Sequence, residues 1–151
     1  MKLLRYGPAG HEKPGCLDVE GRVRDLSGHV DDIAGAALLP DAIAALKALD
    51  VSSLPIVEGT PQSDLRLGSC VGQTGKFVCI GLNYADHAAE SGMDVPPEPV
   101  IFNKWTSAII GPDDDVVIPR GSKKTDWEVE LGVVIGKGGV YITEADAMDH
   151  V

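Results

Sequence analysis

The stretch Thr125-Asp-Trp-Glu-Val-Glu-Leu-Gly-Val-Val-Ile-Gly136 decides how the rest of this chain is interpreted. Its first half alternates between acidic and apolar residues. Because side chains alternate between the two faces of a strand, the acidic residues are expected on one face and the apolar ones on the other. Val133–Ile135 is continuously apolar, which is typical of a strand buried on both faces. The pattern predicts a β-strand whose acidic row leads into the core.

Two carboxylates of this acidic row, those of Glu128 and Glu130, are candidate metal ligands. Residues two apart on one strand face are separated by roughly 7 Å at their Cα atoms. Like charges that are so close repel each other unless one is protonated or a cation lies between them. Mg²⁺ typically binds one or two protein carboxylates together with waters and substrate oxygens. The alternative is an amphipathic strand with a solvated acidic face, since carboxylates are normally exposed.

Composition and charge limit the class of protein. The chain has 151 residues, of which 44% are hydrophobic and 24% charged, as expected for one ordinary globular domain or two small ones. The formal net charge is −10, and no basic cluster is longer than Lys123-Lys124, which argues against nucleic acid or an anionic membrane surface as a partner. An anionic substrate stays compatible, because a bound metal inverts the local charge.

The N-terminus and the cysteines predict a cytoplasmic protein. Met1–Pro8 lacks the apolar segment of a signal peptide, and no apolar run approaches membrane-spanning length. Cys16, Cys70 and Cys79 are odd in number and far apart, so neither a zinc site nor a disulfide framework follows from their spacing. Reduced thiols are the simplest interpretation.

A boundary is expected near residue 70, between an accessory domain at 1–70 and a second domain at 71–151. Proline and glycine interrupt Ser52–Ser69, which indicates a connector. Before it, the pattern predicts a strand at Lys2–Tyr6, a hairpin of Cys16–Val19 and Arg22–Leu26 around Glu20-Gly21, and a helix from Pro40 to Leu49. After it, the pattern predicts strands at Phe77–Gly81, Pro99–Asn103, Ser107–Ile110 and Val116–Ile118, a helix at Asn83–Ser91 closed by Gly92, and a helix that begins at Thr143.

The predicted helix at Asn83–Ser91 carries a candidate general base. His87 and Glu90 are three residues apart and therefore share a helix face. A carboxylate beside an imidazole makes the ring more basic and fixes its tautomer, which suits a base that activates water. The alternative is an ion pair on the surface of the helix.

Three further residues are candidates for substrate binding. Asn83 and Tyr84 directly follow a buried strand; alternatively, they are a helix cap and a packed ring. Lys104 follows another short strand and offers a cation to a substrate carboxylate; alternatively, it is a solvated lysine. The acidic run Asp113–Asp115 follows Gly-Pro in a turn and is interpreted as a solvated loop rather than as a metal site.

Three segments together resemble the fumarylacetoacetate hydrolase family. They are Ile80–Glu90, Pro99–Lys104 and Asp126–Gly136, and they occur in the family's order from about residue 76 onward. The first seventy residues are similar to the accessory domain of members labelled ureidoglycolate lyase or diketo-deoxy-sugar-acid hydrolase. The resemblance implies an α+β fold, in which a small N-terminal α/β accessory domain precedes the first part of a mixed β-roll, and it implies a homodimer.

The resemblance also implies a reaction and assigns roles to the candidates. It implies Mg²⁺ or Mn²⁺ held by Glu128 and Glu130, and water activated by His87 and Glu90 on a lid helix. The implied substrates are small anionic 2-oxo or diketo acids, whose C–C or C–N bond is cleaved by hydrolase or lyase chemistry. Asn83, Tyr84 and Lys104 are expected to bind that substrate.

The chain departs from the family pattern in one respect. The family has a third carboxylate ligand, an Asp on a later strand, and a catalytic lysine still further on, and neither has a counterpart before Val151. Two explanations are open, a fragment of a longer protein and a truncated gene product. The competing functional hypotheses are therefore a catalytically incomplete remnant that acts only with a partner, and a binding module that uses the same carboxylates.

Overall fold

The computed structural model describes residues 1–59 and 64–151. They form two compact units, Met1–Gly72 together with Gly111–Val151, and Gln73–Ile110. The first segment ends two residues from the boundary expected near residue 70, whereas the assignment of 71–151 to a single domain stays a prediction. Part of the predicted connector, residues 60–63, lies outside the described residues.

A three-stranded antiparallel sheet forms the first unit's regular core. Its strands are β1 (Lys2–Tyr6), β2 (Lys13–Leu17) and β3 (Val23–Asp25), in that order. The predicted first strand is confirmed, and so is the hairpin, although β2 begins and ends earlier than expected. The Asp18 carboxylate closes the hairpin loop by accepting hydrogen bonds from the backbone N–H groups of Glu20 and Arg22, each at 2.9 Å.

Apolar side chains pack on both faces of this sheet. On one face Leu3 packs against a buried cluster that includes Cys16, its partner across the strand pair. On the other face Leu4 and Tyr6 lie together with Val23. Burial of each large apolar side chain stabilises the fold by about 1.5–3 kcal/mol. The first cluster consists of Cys16, Leu26, Ile33, Leu46 and Leu54.

The helix α1 (Pro40–Lys47) completes the first cluster through Leu46, its buried residue. Pro40 occupies the first turn, where its missing N–H has no intrahelical partner to lose. The helix ends two residues before the predicted Leu49. Two short 3₁₀ helices flank it, at Gly35–Leu38 and Val51–Ser53.

The second unit contains an antiparallel strand pair and one helix. Strand β4 (Val78–Gly81) pairs with β5 (Val100–Asn103), and α2 (Ala85–Glu90) lies between them in sequence. These two strands and this helix were predicted and are confirmed, with a helix shorter than expected. The expected burial of β4 is wrong, since Val78 and Ile80 are 57% and 41% exposed. The predicted strand Ser107–Ile110 is wrong. Thr106–Ala108 forms a 3₁₀ helix, because its backbone N–H groups bond locally, as from Ala108 to Trp105 O at 2.9 Å.

The strands predicted at Thr125–Gly136 and Val116–Ile118 are also wrong. Among the described residues both stretches are irregular, and Trp127 and Leu131 are about four-fifths exposed. A strand is held by ladder hydrogen bonds and by side chains packed on another layer, and within the described residues neither stretch is paired with another strand. The alternating pattern is therefore present without the pairing that it normally accompanies.

The C-terminal helix is shorter than expected. Ala147–His150 forms a 3₁₀ helix in place of a helix from Thr143. The predicted cap contact is present, since Thr143 Oγ1 accepts from the Asp146 N–H at 3.3 Å and donates to Asp146 Oδ2 at 2.7 Å. Within residues 1–59 and 64–151, no helix has the length and apolar character to cross a membrane. The fold is thus a mixed one with two small sheets and few helices, and the β-roll stays a prediction.

Candidate functional site

The helix α2 carries both members of the candidate water-activating pair. His87 and Glu90 lie three residues apart on it, and both are exposed. The backbone N–H of His87 donates to the Asp86 carboxylate at 2.9 Å, a local bond in the first turn of the helix. No ion pair joins the His87 imidazole to the Glu90 carboxylate in the part of the chain that the structure describes. The roles assigned to this pair stay predictions.

The end of α2 is fixed by its backbone. Gly92 has φ of 65°, and its N–H donates to Ala89 O at 3.1 Å. The Met93 N–H donates to Ala88 O at 2.9 Å, so the two bonds complete a Schellman motif. Ala88 is almost fully buried and anchors the helix between His87 and Glu90. The helix therefore presents both side chains outward from a buried alanine.

The turn that enters α2 carries Asn83 and Tyr84. Leu82, directly before them, has φ of 51°, which is unusual for a bulky residue. Such a conformation costs on the order of 1–3 kcal/mol and persists only where neighbouring contacts hold it; these residues cluster at functional sites. Tyr84 caps the helix with its backbone, whose carbonyl accepts from the Ala88 N–H at 3.1 Å, and its ring is 40% exposed.

Lys104 directly follows β5, on the same two-stranded sheet. Its backbone N–H donates to Phe77 O at 3.1 Å, which extends the β4–β5 pairing by one step. Its side chain is exposed. The unit Gln73–Ile110 thus contains five candidates from both ends of its strand pair, namely Asn83, Tyr84, His87, Glu90 and Lys104.

The two candidate metal ligands, Glu128 and Glu130, belong to the other unit. Both are exposed and lie in the irregular acidic segment. No group of three potential metal-binding side chains occurs within the described residues. Two carboxylates nevertheless match the donor set of a hard cation such as Mg²⁺, which commonly takes one or two protein carboxylates and completes its shell with water and substrate oxygens.

Sequence reasoning missed an ion pair at the predicted solvated loop. Asp114 accepts from Arg66 at both carboxylate oxygens, Nε–Oδ1 at 2.7 Å and Nη2–Oδ2 at 2.6 Å. The Arg66 side chain, followed by the Gly111 backbone N–H, lowers the pKa of Asp114 below its usual value. No local pattern signals this contact, because its partners are 48 residues apart. The loop interpretation holds for Asp113 and Asp115, which are exposed.

A family model matches the second half of the chain. The model described as "Fumarylacetoacetate (FAA) hydrolase C-terminal" matches residues 76–151. Curated relatives from Burkholderia ambifaria and Burkholderia orbicola, both named "Putative hydrolase", are each 62% identical over all 151 residues. The chain covers 52% of each, so it spans about half the length of these relatives.

A solved structure resembles this one over nearly the whole chain. It is described as "Crystal structure of a putative HpcE protein from Mycobacterium smegmatis". It is similar with a TM-score of 0.68 and 31% sequence identity, over 97% of this chain and 50% of that one. The likeness therefore includes the N-terminal residues that lie outside the family match.

Proposed function

Because this chain belongs to the fumarylacetoacetate hydrolase family, we propose that it supplies the water-activating pair and two metal-binding carboxylates of a divalent-metal-dependent hydrolase. One observation carries the proposal. The family match at residues 76–151 contains every candidate residue, from Asn83 to Glu130. The relatives named as hydrolases support the reaction type.

In the proposed reaction, His87 acts as the general base. Its imidazole accepts a proton from water while the water oxygen attacks the carbonyl carbon next to the bond to be broken. That bond then breaks, its electron pair leaves with the other fragment, and His87 returns the proton to that fragment. Glu90, one helical turn away, orients the ring and stabilises its charged form. When Mg²⁺ or Mn²⁺ is held by Glu128 and Glu130, it supplies Lewis-acid polarisation of the substrate oxygens.

The proposed substrates are small anionic 2-oxo or diketo acids. Lys104 offers a positive charge to the substrate carboxylate. Such charges are in the minority in this chain, whose formal net charge is −10. Asn83 and Tyr84 supply an amide and a hydroxyl to orient the substrate, and both are exposed at the entrance to α2. The substrate bond that we propose is cleaved is a C–C bond, or a C–N bond in the related lyase chemistry. A cytoplasmic homodimer belongs to the same proposal.

The exposed acidic segment favours a second candidate function. Trp127, Val129 and Leu131 are each more than 70% exposed, and exposed apolar residues that share one predicted strand face often mark an interaction site. A catalytically incomplete, partner-dependent module would carry such a surface until another polypeptide covered it. In that case residues 1–151 bind a partner and contribute no turnover by themselves.

The test joins this chain in frame to the remaining half of the Burkholderia ambifaria relative. Hydrolysis of an acylpyruvate is measured at limiting and at saturating Mg²⁺. Glu130→Gln removes an anionic ligand, so activity at limiting Mg²⁺ should nearly vanish, a larger loss than the roughly 10- to 100-fold that changes to the partners of metal ligands typically cause. Glu58→Gln, the same change at an exposed position outside the family match, should leave activity unchanged. Equal activity of Glu130→Gln and the parent would remove Glu130 from the ligand set.

A further inference from the structure

The segment around Leu67 lies along the outer edge of β1. Tyr6 and Leu67 form an antiparallel bridge. The Gly7 N–H donates to Arg66 O, and the Gly68 N–H donates to Arg5 O, each at 2.9 Å. These bonds extend the three-stranded sheet by a short additional edge, so the backbone of Arg66 is held by the sheet itself.

From this edge, the Arg66 guanidinium contacts two carboxylates at once. It forms the two-point pair with Asp114 described above, and its Nη1 donates to Glu12 Oε1 at 3.0 Å and to Gly7 O at 2.9 Å. Arginine–carboxylate pairs with two parallel bonds are strong and fix geometry, because the planar fork matches the carboxylate. The side chains of Arg66 and Asp114 are 29% and 25% exposed, so solvent screens this pair only in part.

The turn that carries Asp114 is fitted closely to the same edge. Asp114 Oδ2 also accepts from the Gly111 N–H at 2.8 Å, which closes the turn on itself. A Cβ atom at Gly111 would overlap the carbonyl oxygen of Leu67, so a residue with a side chain would force the turn away. Hydrogen bonding and steric fit therefore place Gly111–Asp115 against the sheet by independent means.

Glu12 links this pair to a second arginine. Arg5 binds Asp32 through Nε–Oδ1 at 2.6 Å and reaches Glu12 Oε2 at 3.5 Å. The Glu12 side chain is 9% exposed and lies between the two arginines. The network alternates in sign from Asp32 to Asp114, so each partly buried charge has an opposite neighbour. Arg66 is the member that connects the network to residues beyond 110.

We propose that Arg66 and Asp114 are positioning residues that fix the Gly111–Asp115 turn to the sheet and thereby set where the acidic segment begins. The part that concerns metal binding rests on the proposed function. Within the described residues, this turn is the last place before the acidic segment where an arginine–carboxylate pair with two parallel hydrogen bonds joins the chain to the sheet. A turn released from the sheet would let Glu128 and Glu130 sample more arrangements, and binding Mg²⁺ would then cost more ordering entropy.

The experiment compares Asp114→Asn with Asp113→Asn in this chain joined in frame to the remaining half of the Burkholderia ambifaria relative. Both variants remove one charge from the same turn, but Asp113 is exposed and outside the ion-pair network. The first readout is hydrogen exchange at the Gly111 amide, which should be about tenfold faster in Asp114→Asn, because a bond to a charged acceptor is weakened. Arg66→Lys is a second variant that keeps the charge and loses the fork. It leaves the charged acceptor of the Gly111 N–H in place, so faster Gly111 exchange in this variant reports release of the turn from the sheet.

The second readout is the shift of the Glu128 and Glu130 amide resonances on titration with Mg²⁺ alone. The half-saturating Mg²⁺ concentration should rise about fivefold in Asp114→Asn and Arg66→Lys, within the range of indirect coupling effects, and stay at the parent value in Asp113→Asn. Unchanged Gly111 exchange in both Asp114→Asn and Arg66→Lys would overturn the role of the ion pair in fixing the turn. Faster exchange with an unchanged Mg²⁺ midpoint would overturn the positioning role. Absence of any Mg²⁺ response in the parent joined chain would instead overturn the proposed metal site.

Discussion

The sheet at residues 2–25 and the acidic segment Thr125–Gly136 both carry strand-like sequences, yet only the sheet forms strands. In β1, Leu4 and Tyr6 are each 7% exposed, whereas Trp127 and Leu131 at matching alternate positions are 80% and 82% exposed. The difference lies in the partner. Strand β1 has β2 on one side and the Leu67 edge on the other, and the described residues give the acidic segment no such neighbour. Alternation thus predicts which side chains share a face, while pairing decides whether a strand forms.

The comparison separates the residues that stabilise this protein from those proposed to act. The described buried clusters lie within residues 3–67, and most of the ion pairs join residues of the same range. The candidate residues lie beyond residue 80 and are exposed. Substitutions in the two regions should therefore have opposite signatures, a loss of stability in the first and a loss of function in the second.

The largest expected effect comes from joining the chain to the second half of a relative, which we expect to supply a strand partner for the acidic segment. Residues 1–151 alone should show no measurable acylpyruvate turnover, because two carboxylates hold Mg²⁺ weakly and the lysine implied by the family resemblance has no counterpart in them. The chain joined to the second half of the Burkholderia ambifaria relative should turn over the substrate. Its amides at Val129–Val133 should also gain protection from hydrogen exchange as a strand forms.

A soluble monomer of residues 1–151 that binds Mg²⁺ at micromolar concentrations and turns over acylpyruvate would contradict this expectation. Unprotected amides at Val129–Val133 in an active joined chain would contradict it in another way. The acidic segment would then act without becoming a strand, and its alternation would need another explanation.

The next effect concerns His87. In the joined chain, His87→Ala should lower kcat by about 10²- to 10⁴-fold, the usual contribution of a general base, with the Mg²⁺ midpoint unchanged. Glu90→Gln should have a smaller effect, because Glu90 orients the ring and takes no proton. His29→Ala is the matched control, since His29 is exposed in the first unit and outside the family match. Wild-type kcat in His87→Ala would remove His87 from the proposed catalytic residues.

A matched pair of leucines tests the stability side of the comparison. Leu26→Ala should lower the free energy of unfolding by about 2–5 kcal/mol, because Leu26 is fully buried and its removal leaves a cavity. Leu131→Ala should change it by less than about 0.5 kcal/mol, as for other exposed positions. Urea unfolding followed by circular dichroism measures both. Equal losses would mean that Leu131 is packed in solution.

Local sequence signals predicted the elements that depend on neighbours close in the chain. The β2–β3 loop, the start of α1 at Pro40 and the end of α2 at Gly92 each depend on one residue type at one backbone position, so they are visible in the sequence. The spacing of His87 and Glu90 is local in the same sense. These features were found at the expected places, with boundaries shifted by a few residues.

Long-range contacts escaped prediction for the converse reason. Arg66 and Asp114 meet because two distant backbones lie side by side, and neither residue's own neighbours indicate it. The prediction of a strand at Thr125–Gly136 was wrong for the same reason. A strand forms there only with a second strand to pair with, and the alternating sequence does not specify that second strand. The limits of the second domain and the roles of the candidate site residues stay predictions, which the experiments above test.

The smallest expected effect is a pH dependence confined to the sheet. Burial, followed by the charge of Asp25 and a hydrogen bond to it, raises the pKa of Tyr6 from 10.0 to about 12. A group whose pKa is raised on folding contributes stability that is complete below its unfolded value and is lost as pH rises through the folded one. The free energy of unfolding should therefore fall between about pH 10 and pH 12. Burial also raises the pKa of Cys16, so Tyr6→Phe should remove only part of this loss. Tyr141→Phe, at a residue 99% exposed, should leave the loss intact, and denaturant unfolding across this range measures all three proteins. If Tyr6→Phe lost stability as steeply as the parent, the alkaline sensitivity would lie outside the Tyr6–Asp25 contact.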